Sequence, residues 1–331
     1  MSFNVKDLLN AFEDFVGRND MSDEAKKLLF THLQRLKKQK VNVLITGATG
    51  CGKSSTINAL FGKDIAKVGQ NSTPETMDIQ SFQLNEYLTL WDSPGLGDTK
   101  EADKRHAQNI TDKLYELGEN NEPLIDLVLV ILDGSSRDLG TAFQLINEVI
   151  IPVLKQNNQT DRLLVAINQC DMAMKGRYWD NENNKPESQL IEFLEEKVES
   201  TRQRIKEATG VDTQPIYYSA GYKDGDQEQK PYNLLKLLSF MLEATPIQKR
   251  PNLAEQINQD GDMWESDEDV KKHQKKVEQS LWESVTSVAK EGGRIGEEIG
   301  SFLLGSSGKT VGRILGSLVG GVGGLFKGIF S

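Results

Sequence analysis

The spacing of apolar residues changes three times along the chain. Leu8, Leu9, Phe12 and Phe15, then Leu28, Leu29, Leu33 and Leu36, recur at helical intervals. That spacing predicts helices within residues 1–40, and Lys37, Lys38 and Lys40 close the second run as suits a helix C-terminus. From residue 41 short apolar runs alternate with longer amphipathic ones. Strands are expected at 41–46, 78–84, 87–91, 124–132, 163–167 and 215–219, and helices at 53–61, 101–118, 139–156, 187–208 and 232–242. Strands alternating with helices predict a mostly parallel sheet covered on both faces. Past residue 250 this rhythm stops.

The pattern divides the chain into four parts: an N-terminal helical segment at 1–40, an α/β domain at 41–247, a segment at 248–270 and a helical extension at 271–331. Residues 251–270 carry seven acids and no Lys or Arg, which reads as a solvated linker. The extension turns basic, with Val277, Leu281, Val285 and Val288 on one side of a helix.

Composition sharpens this picture in two places. The net charge of -10 argues against a general nucleic-acid or ribosome binder, because phosphate contacts need clustered Lys and Arg. Thirteen of the 29 glycines fall between Gly292 and Gly328, so the tail differs in kind from the rest. The two cysteines, Cys51 and Cys170, are too few for a disulfide framework and suit a reducing, cytoplasmic setting. The first residues carry acids where an export signal needs an apolar run. No stretch reaches the ~18 uncharged apolar residues of a spanning helix. His32 and His273 stand apart in sequence, with no zinc-ligand spacing around them.

Candidate chemistry sits at the ends of the expected strands. Gly47-Ala-Thr49-Gly50-Cys51-Gly52-Lys53-Ser54 lies between a strand and a helix and satisfies G-x-x-x-x-G-K-[ST]. Its glycines allow backbone N–H groups to surround phosphate oxygens, with Ser55 next in the helix. Lys53 would neutralise β- and γ-phosphates, and Ser54 would hold Mg²⁺. Asp92-Ser-Pro-Gly95 closes a later strand: the acid can hold Mg²⁺ through water, and the Gly95 N–H can meet a γ-phosphate. Asn168-Gln169-Cys170-Asp171 closes another, and a carboxylate there accepts the paired donors of guanine that adenine lacks. Ser219-Ala220 follows the last strand and offers backbone to the guanine carbonyl.

Together these segments resemble the G1, G3, G4 and G5 motifs of the translation-factor-related (TRAFAC) P-loop GTPases. The bacterial Era-like group looks nearest, since its first helix often reads like KSSTINALFG here. The resemblance covers about 41–245. It implies a Ras-like six-stranded sheet, binding of GTP and GDP, a Mg²⁺ cofactor, and GTP hydrolysis coupled to switching. It further implies a first switch at 68–79, with Thr76 as its Mg²⁺-closing threonine and Thr73 as the alternative. Lys53, Thr76 and Gly95 would then form the catalytic set.

Two positions depart from that family. Gln169 stands where a lysine stem normally lies over the base, which weakens nucleotide binding while leaving guanine selection to Asp171. Leu96 follows Gly95 where Ras-type members carry a water-orienting glutamine. Slow intrinsic hydrolysis follows, completed by an activator, by pairing of two G domains or by another switch residue. Asp98, Lys104, Arg105 and His106 lie in that region and read as solvated residues at a helix start.

In the tail a glycine recurs every fourth residue from Gly292 to Gly328, broken at Leu304. A four-residue step precesses by ~40° on a helix, so over 311–330 the glycines sweep one half while Val, Ile, Leu and Phe fill the other. Three partners fit that apolar half: a membrane surface with Arg313 and Lys327 toward headgroups, a second helix through small-residue contacts, or this chain's own helices.

Overall fold

The computed structural model describes residues 21–62, 79–95, 99–118, 121–224, 227–290 and 293–304. The first helical run around Leu8–Phe15, both candidate switch threonines Thr73 and Thr76, Leu96, Asp98 and the tail beyond residue 304 lie outside the described residues.

The chain enters through α1 (Asp23–Lys37), whose start is capped by the Ser22 hydroxyl accepting from the Ala25 N–H. A six-stranded sheet follows. Its strands are β1 (Val41–Gly47), β2 (Gln80–Gln83), β3 (Leu88–Asp92), β4 (Leu127–Asp133), β5 (Leu163–Asn168) and β8 (Ile216–Tyr217). They lie in the order β2-β3-β1-β4-β5-β8; β2 runs antiparallel to β3, and the remaining pairs are parallel. The connecting helices are α2 (Lys53–Phe61), α3 (Lys100–Tyr115) and α4 (Gly140–Gln144). A π-helical turn Leu145–Ile150 joins α4 to α5 (Ile151–Gln156). Next come α6 (Ser188–Thr209) and α7 (Leu234–Ala244). This is the mostly parallel sheet that the alternation of runs predicted, in the Ras-like P-loop arrangement that the resemblance implied.

The apolar runs at 43–45 in β1 and 127–132 in β4 are explained by helices on both faces. Val43, Ile45, Leu127, Leu129 and Ile131 face one layer, formed with α1, α2, α7 and the C-terminal helices. Leu44, Val128, Val130 and Leu132 face the other, formed with α3, α4, α5 and α6. Two small hairpins interrupt the pattern: β6 (Trp179–Asp180) with β7 (Lys185–Pro186), and β9 (Tyr222–Asp224) with β10 (Gln227–Gln229).

The acidic segment at 248–270 is not a solvated linker. It forms α8 (Arg250–Glu255) and a 3₁₀ turn (Gly261–Trp264), burying Leu253, Ala254, Ile257 and Trp264. Burial of Leu253 and Ile257 contributes about 1.5–3 kcal/mol each, which outweighs the polar composition around them. The Asn252 amide donates to the Leu36 and Gln39 carbonyls at 2.8 and 2.7 Å, closing the end of α1. The acids find partners: Asp262 pairs with Lys230 at 3.1 Å and Glu268 with Lys236 at 2.6 Å.

Beyond it run α9 (Val270–Thr286), a 3₁₀ turn (Ser287–Lys290) and α10 (Gly293–Leu304). His32 of α1 donates from Nε2 to the Ser284 carbonyl at 2.9 Å. The Ser22 N–H and hydroxyl reach the Glu298 carboxylate at 2.6 and 2.8 Å. Within the tail's first part, Gly296 and Ile299 are buried, so one face of α10 packs against this chain's own helices. Among the described residues no helix is long and apolar enough to cross a membrane.

Candidate functional site

The site lies at the C-terminal ends of β1, β3, β5 and β8, where loops leave the parallel strands. Between β1 and α2 the backbone turns through Gly50 and Gly52, at φ of 80° and 89°. Gly52 is required twice: its φ is left-handed, and a Cβ there would run into the Asn168 side chain. Thr49 and Gly50 are exposed at the loop tip, while Ser54 and Ser55 are partly exposed on the first turn of α2. Lys53 Nζ lies along the loop, donating to the Gly47 and Ala48 carbonyls at 3.1 and 3.2 Å.

β3 delivers Asp92 beside this loop. Its carboxyl Oδ1 is buried, with no hydrogen-bond partner among the described residues. Burial raises its pKa to about 6, an effect that the Lys53 ammonium partly offsets. Ser93 anchors the turn by donating its hydroxyl to Thr46 Oγ1 at 2.7 Å. Gly95 lies against the backbone of Thr49, so the β3 loop touches the phosphate loop.

β5 delivers Asn168, which is buried and joins three loops. Its Nδ2 donates to the Cys51 carbonyl at 2.9 Å, and its Oδ1 accepts from the Ala220 N–H at 2.9 Å. Gln169, at φ 57°, donates its amide to the Gly50 carbonyl at 2.8 Å. The Gln169 side chain is thus a second tie between this strand end and the glycine loop. Asp171 is buried at 6% exposure, and its Oδ1 likewise has no partner among the described residues. Ser219 exchanges backbone hydrogen bonds with Tyr232 at 3.0 and 2.9 Å, which holds the loop carrying Ala220.

Both thiols are buried. Burial pushes Cys51 up despite Lys53 nearby, and pushes Cys170 well up. They are packed side chains rather than reactive thiolates. His106 corrects its sequence reading: it is 4% exposed, on the inner face of α3 with Ile110 and Leu114, rather than solvated at the helix start. Lys104 and Arg105 are exposed, as expected.

Three participants escaped the sequence reading. Thr56 Oγ1 and the Tyr218 hydroxyl lie 2.6 Å apart, joining α2 to the end of β8. Gly134 donates its N–H to the Asn168 carbonyl at 2.7 Å. None belongs to a motif with fixed spacing; the helical interval His106–Ile110–Leu114 was the one overlooked signal in this region.

Residues 42–169 match the family described as 50S ribosome-binding GTPase. The chain is 29% identical to the Escherichia coli protein YkfA over 156 residues, 46% of this chain and 50% of that protein. It is 23% identical to mouse immunity-related GTPase family M protein 2 over 232 residues, 69% of this chain and 50% of that protein. The chain thus spans about half the length of these curated relatives. A solved structure of Toc33 from Arabidopsis thaliana, a dimerization-deficient mutant, has a TM-score of 0.44 at 15% identity, covering 73% of this chain and 97% of that one. The glycine loop, the acid after β3 and the Asn-x-x-Asp end of β5 are thus gathered at one edge of the sheet, within or beside the stretch that matches this GTPase family model.

Proposed function

We propose that the protein binds GTP and GDP with Mg²⁺, hydrolyses GTP to GDP and phosphate, and acts as a nucleotide-controlled switch. The observation that carries this is the buried Asp171 oxygen, without a partner among the described residues, beside the Asn168 tie. A buried acceptor is costly unless a ligand satisfies it. Guanine brings two adjacent donors, N1–H and N2–H₂; adenine brings no such pair, so Asp171 selects guanine. The Ser219–Ala220 turn would meet the guanine carbonyl through the Ala220 N–H, which here is held by Asn168 Oδ1.

The phosphates would lie over Gly47, Gly50, Gly52 and the first turn of α2, where the Lys53 ammonium can exchange loop carbonyls for phosphate oxygens. The donors fit a hard divalent cation: Ser54 through its hydroxyl and Asp92 through water, with Thr76 or Thr73 from the switch. Asp92 supports this fit, because burial disfavours its anion and a cation restores it. Bound Mg²⁺ supplies charge neutralisation at the β- and γ-phosphates. The Gly95 N–H would sense the γ-phosphate.

Leu96 cannot orient water, so intrinsic hydrolysis is slow and is raised by an activator or by pairing of G domains. Era-like kinship rests on the helix reading KSSTINALFG. The setting is cytoplasmic, with a membrane surface as a further partner for the tail within residues 292–331; a ribosome or nucleic-acid partner is disfavoured by the charge of -10. A second reading, an assembly or membrane-organising module in which nucleotide controls tail exposure, is favoured by one connection. Asn258 binds the end of α2, and Glu298, within the first part of the tail, binds the start of α1.

The test is nucleotide titration with Mg²⁺ against GTP, GDP and ATP, followed by phosphate release. Preference for guanine nucleotides with slow turnover supports the reading, and equal affinity for ATP overturns it. Liposome flotation of the full chain against a chain ending at residue 304 tests the tail; equal flotation, or none, removes the membrane reading.

A further inference from the structure

α6 is one of the longest helices described, yet its charged outer face plays no part in the phosphate or base motifs. One side chain turns inward. Lys197 Nζ donates to the Gly134 carbonyl at 2.6 Å and to the Ser136 carbonyl at 2.8 Å. Both belong to the loop leaving β4, the central strand next to β5. The same loop is braced from within, since Asp133 Oδ1 accepts from the Ser135 N–H and hydroxyl at 2.8 and 2.7 Å.

This loop touches the base-reading strand end directly. The Gly134 N–H donates to the Asn168 carbonyl. A Cβ on Gly134 would collide with that carbonyl and lie 3.1 Å from the Gln169 carbonyl oxygen. The loop is therefore pressed onto the backbone of the two residues whose side chains hold Cys51, Ala220 and Gly50. Two ion–dipole contacts from one ammonium fix how far it presses.

Packing alone does not call for a lysine here. Burial pushes the Lys197 ammonium down, with Asp133 opposing, and a methionine would fill the same space without that cost. What the ammonium adds is a fixed distance between α6 and the carbonyls of 134 and 136.

We infer that Lys197 is a positioning residue for guanine recognition, holding the Asp133–Ser136 loop against Asn168 and thereby setting how long nucleotide stays bound. This rests on the guanine-nucleotide reading of the site. Lys197 touches no nucleotide group; it acts through the backbone of Gly134 and Asn168.

The test compares the full chain with Lys197→Met and Lys197→Arg. Dissociation of a fluorescent GDP is timed, and melting is measured without nucleotide. Lys197→Met is expected to release GDP about ten-fold faster, the equivalent of one or two lost charge-assisted bonds, with melting within a few degrees of wild type. Lys197→Arg, which keeps the charge and the donors, is expected to recover at least half of that loss on a logarithmic scale. Unchanged GDP release in Lys197→Met overturns the inference. So does faster release in both variants alike that follows a lowered melting temperature, since this marks a stability role alone. A wild-type chain that binds no guanine nucleotide overturns the underlying reading, and this inference with it.

Discussion

The backbone N–H of Asn258 donates to the carbonyl of Leu60 across 2.7 Å, so the acidic segment closes the last turn of the phosphate-loop helix. The same residue's amide reaches the Ala59 carbonyl at 3.2 Å, and its own carbonyl accepts from Trp264 Nε1 at 2.9 Å. Helix-end carbonyls need such partners when buried. Replacing Asn258 by Leu strips the side-chain donor and is expected to destabilise the chain by about 1–3 kcal/mol. Trp264→Ala removes a fully buried indole and is expected to cost about 3–5 kcal/mol. Urea unfolding of both variants measures this; a loss below 0.5 kcal/mol for Trp264→Ala, on the scale of surface changes, would return 248–270 to the status of a linker.

Lys249 pairs with Asp126 at 2.7 Å, and the aspartate is buried. Asp126 Oδ2 also accepts from the Asn42 N–H at 2.9 Å, at the start of β1. Burial already raises Asp126 in the face of Lys249. Lys249→Met leaves a buried carboxylate without its cation and is expected to destabilise by about 3 kcal/mol at neutral pH. The variant raises Asp126 further, so protonation relieves it, and its deficit shrinks as pH falls toward 5. A deficit that stays constant between pH 7.5 and 5 contradicts this.

Glu268 links α9 to the sheet. Burial pushes its carboxyl up, but His273 at 4.0 Å, the Lys236 ammonium and the Tyr217 hydroxyl outweigh burial and hold it at about 2. A depressed carboxyl stabilises the fold in full above its ordinary value of 4.5, and that share is lost as pH falls through about 2. Glu268→Gln is thus expected to melt lower than wild type at pH 7, with the gap closing between pH 4.5 and 2. Thermal melts at half-unit steps measure it; a gap that widens on acidification refutes the assignment.

These contacts also mark where the sequence could and could not be read. Lys53–Phe61 was legible to the residue, because a left-handed glycine loop must precede a helix that starts on Lys-Ser. The strand runs at 127–133 and 163–168 were legible because burial on both faces leaves no polar alternation to confuse. The segment 248–270 was misread because counting seven acids hides Leu253, Ile257 and Trp264, and because its acids meet lysines distant in sequence. The hairpins at 179–186 and 222–229 were missed because two- and three-residue polar strands carry no period. Within the site, Gly52, Asn168 and Asp171 announce themselves by spacing. Thr56, Tyr218, Gly134 and Lys197 do not, since each matters only through a neighbour that folding brings close.

The central claim is that Asp171 reads guanine through the donors at N1 and N2. Asp171→Asn exchanges an acceptor for a donor, and xanthine carries an acceptor oxygen where guanine carries the N2 amino group. Binding of GTP and of xanthosine triphosphate to wild type and Asp171→Asn tests the claim most directly. The account predicts that wild type prefers GTP and that the variant reverses this, favouring xanthosine triphosphate, with each preference worth at least ten-fold, about 1.4 kcal/mol. A variant that still prefers GTP would contradict it.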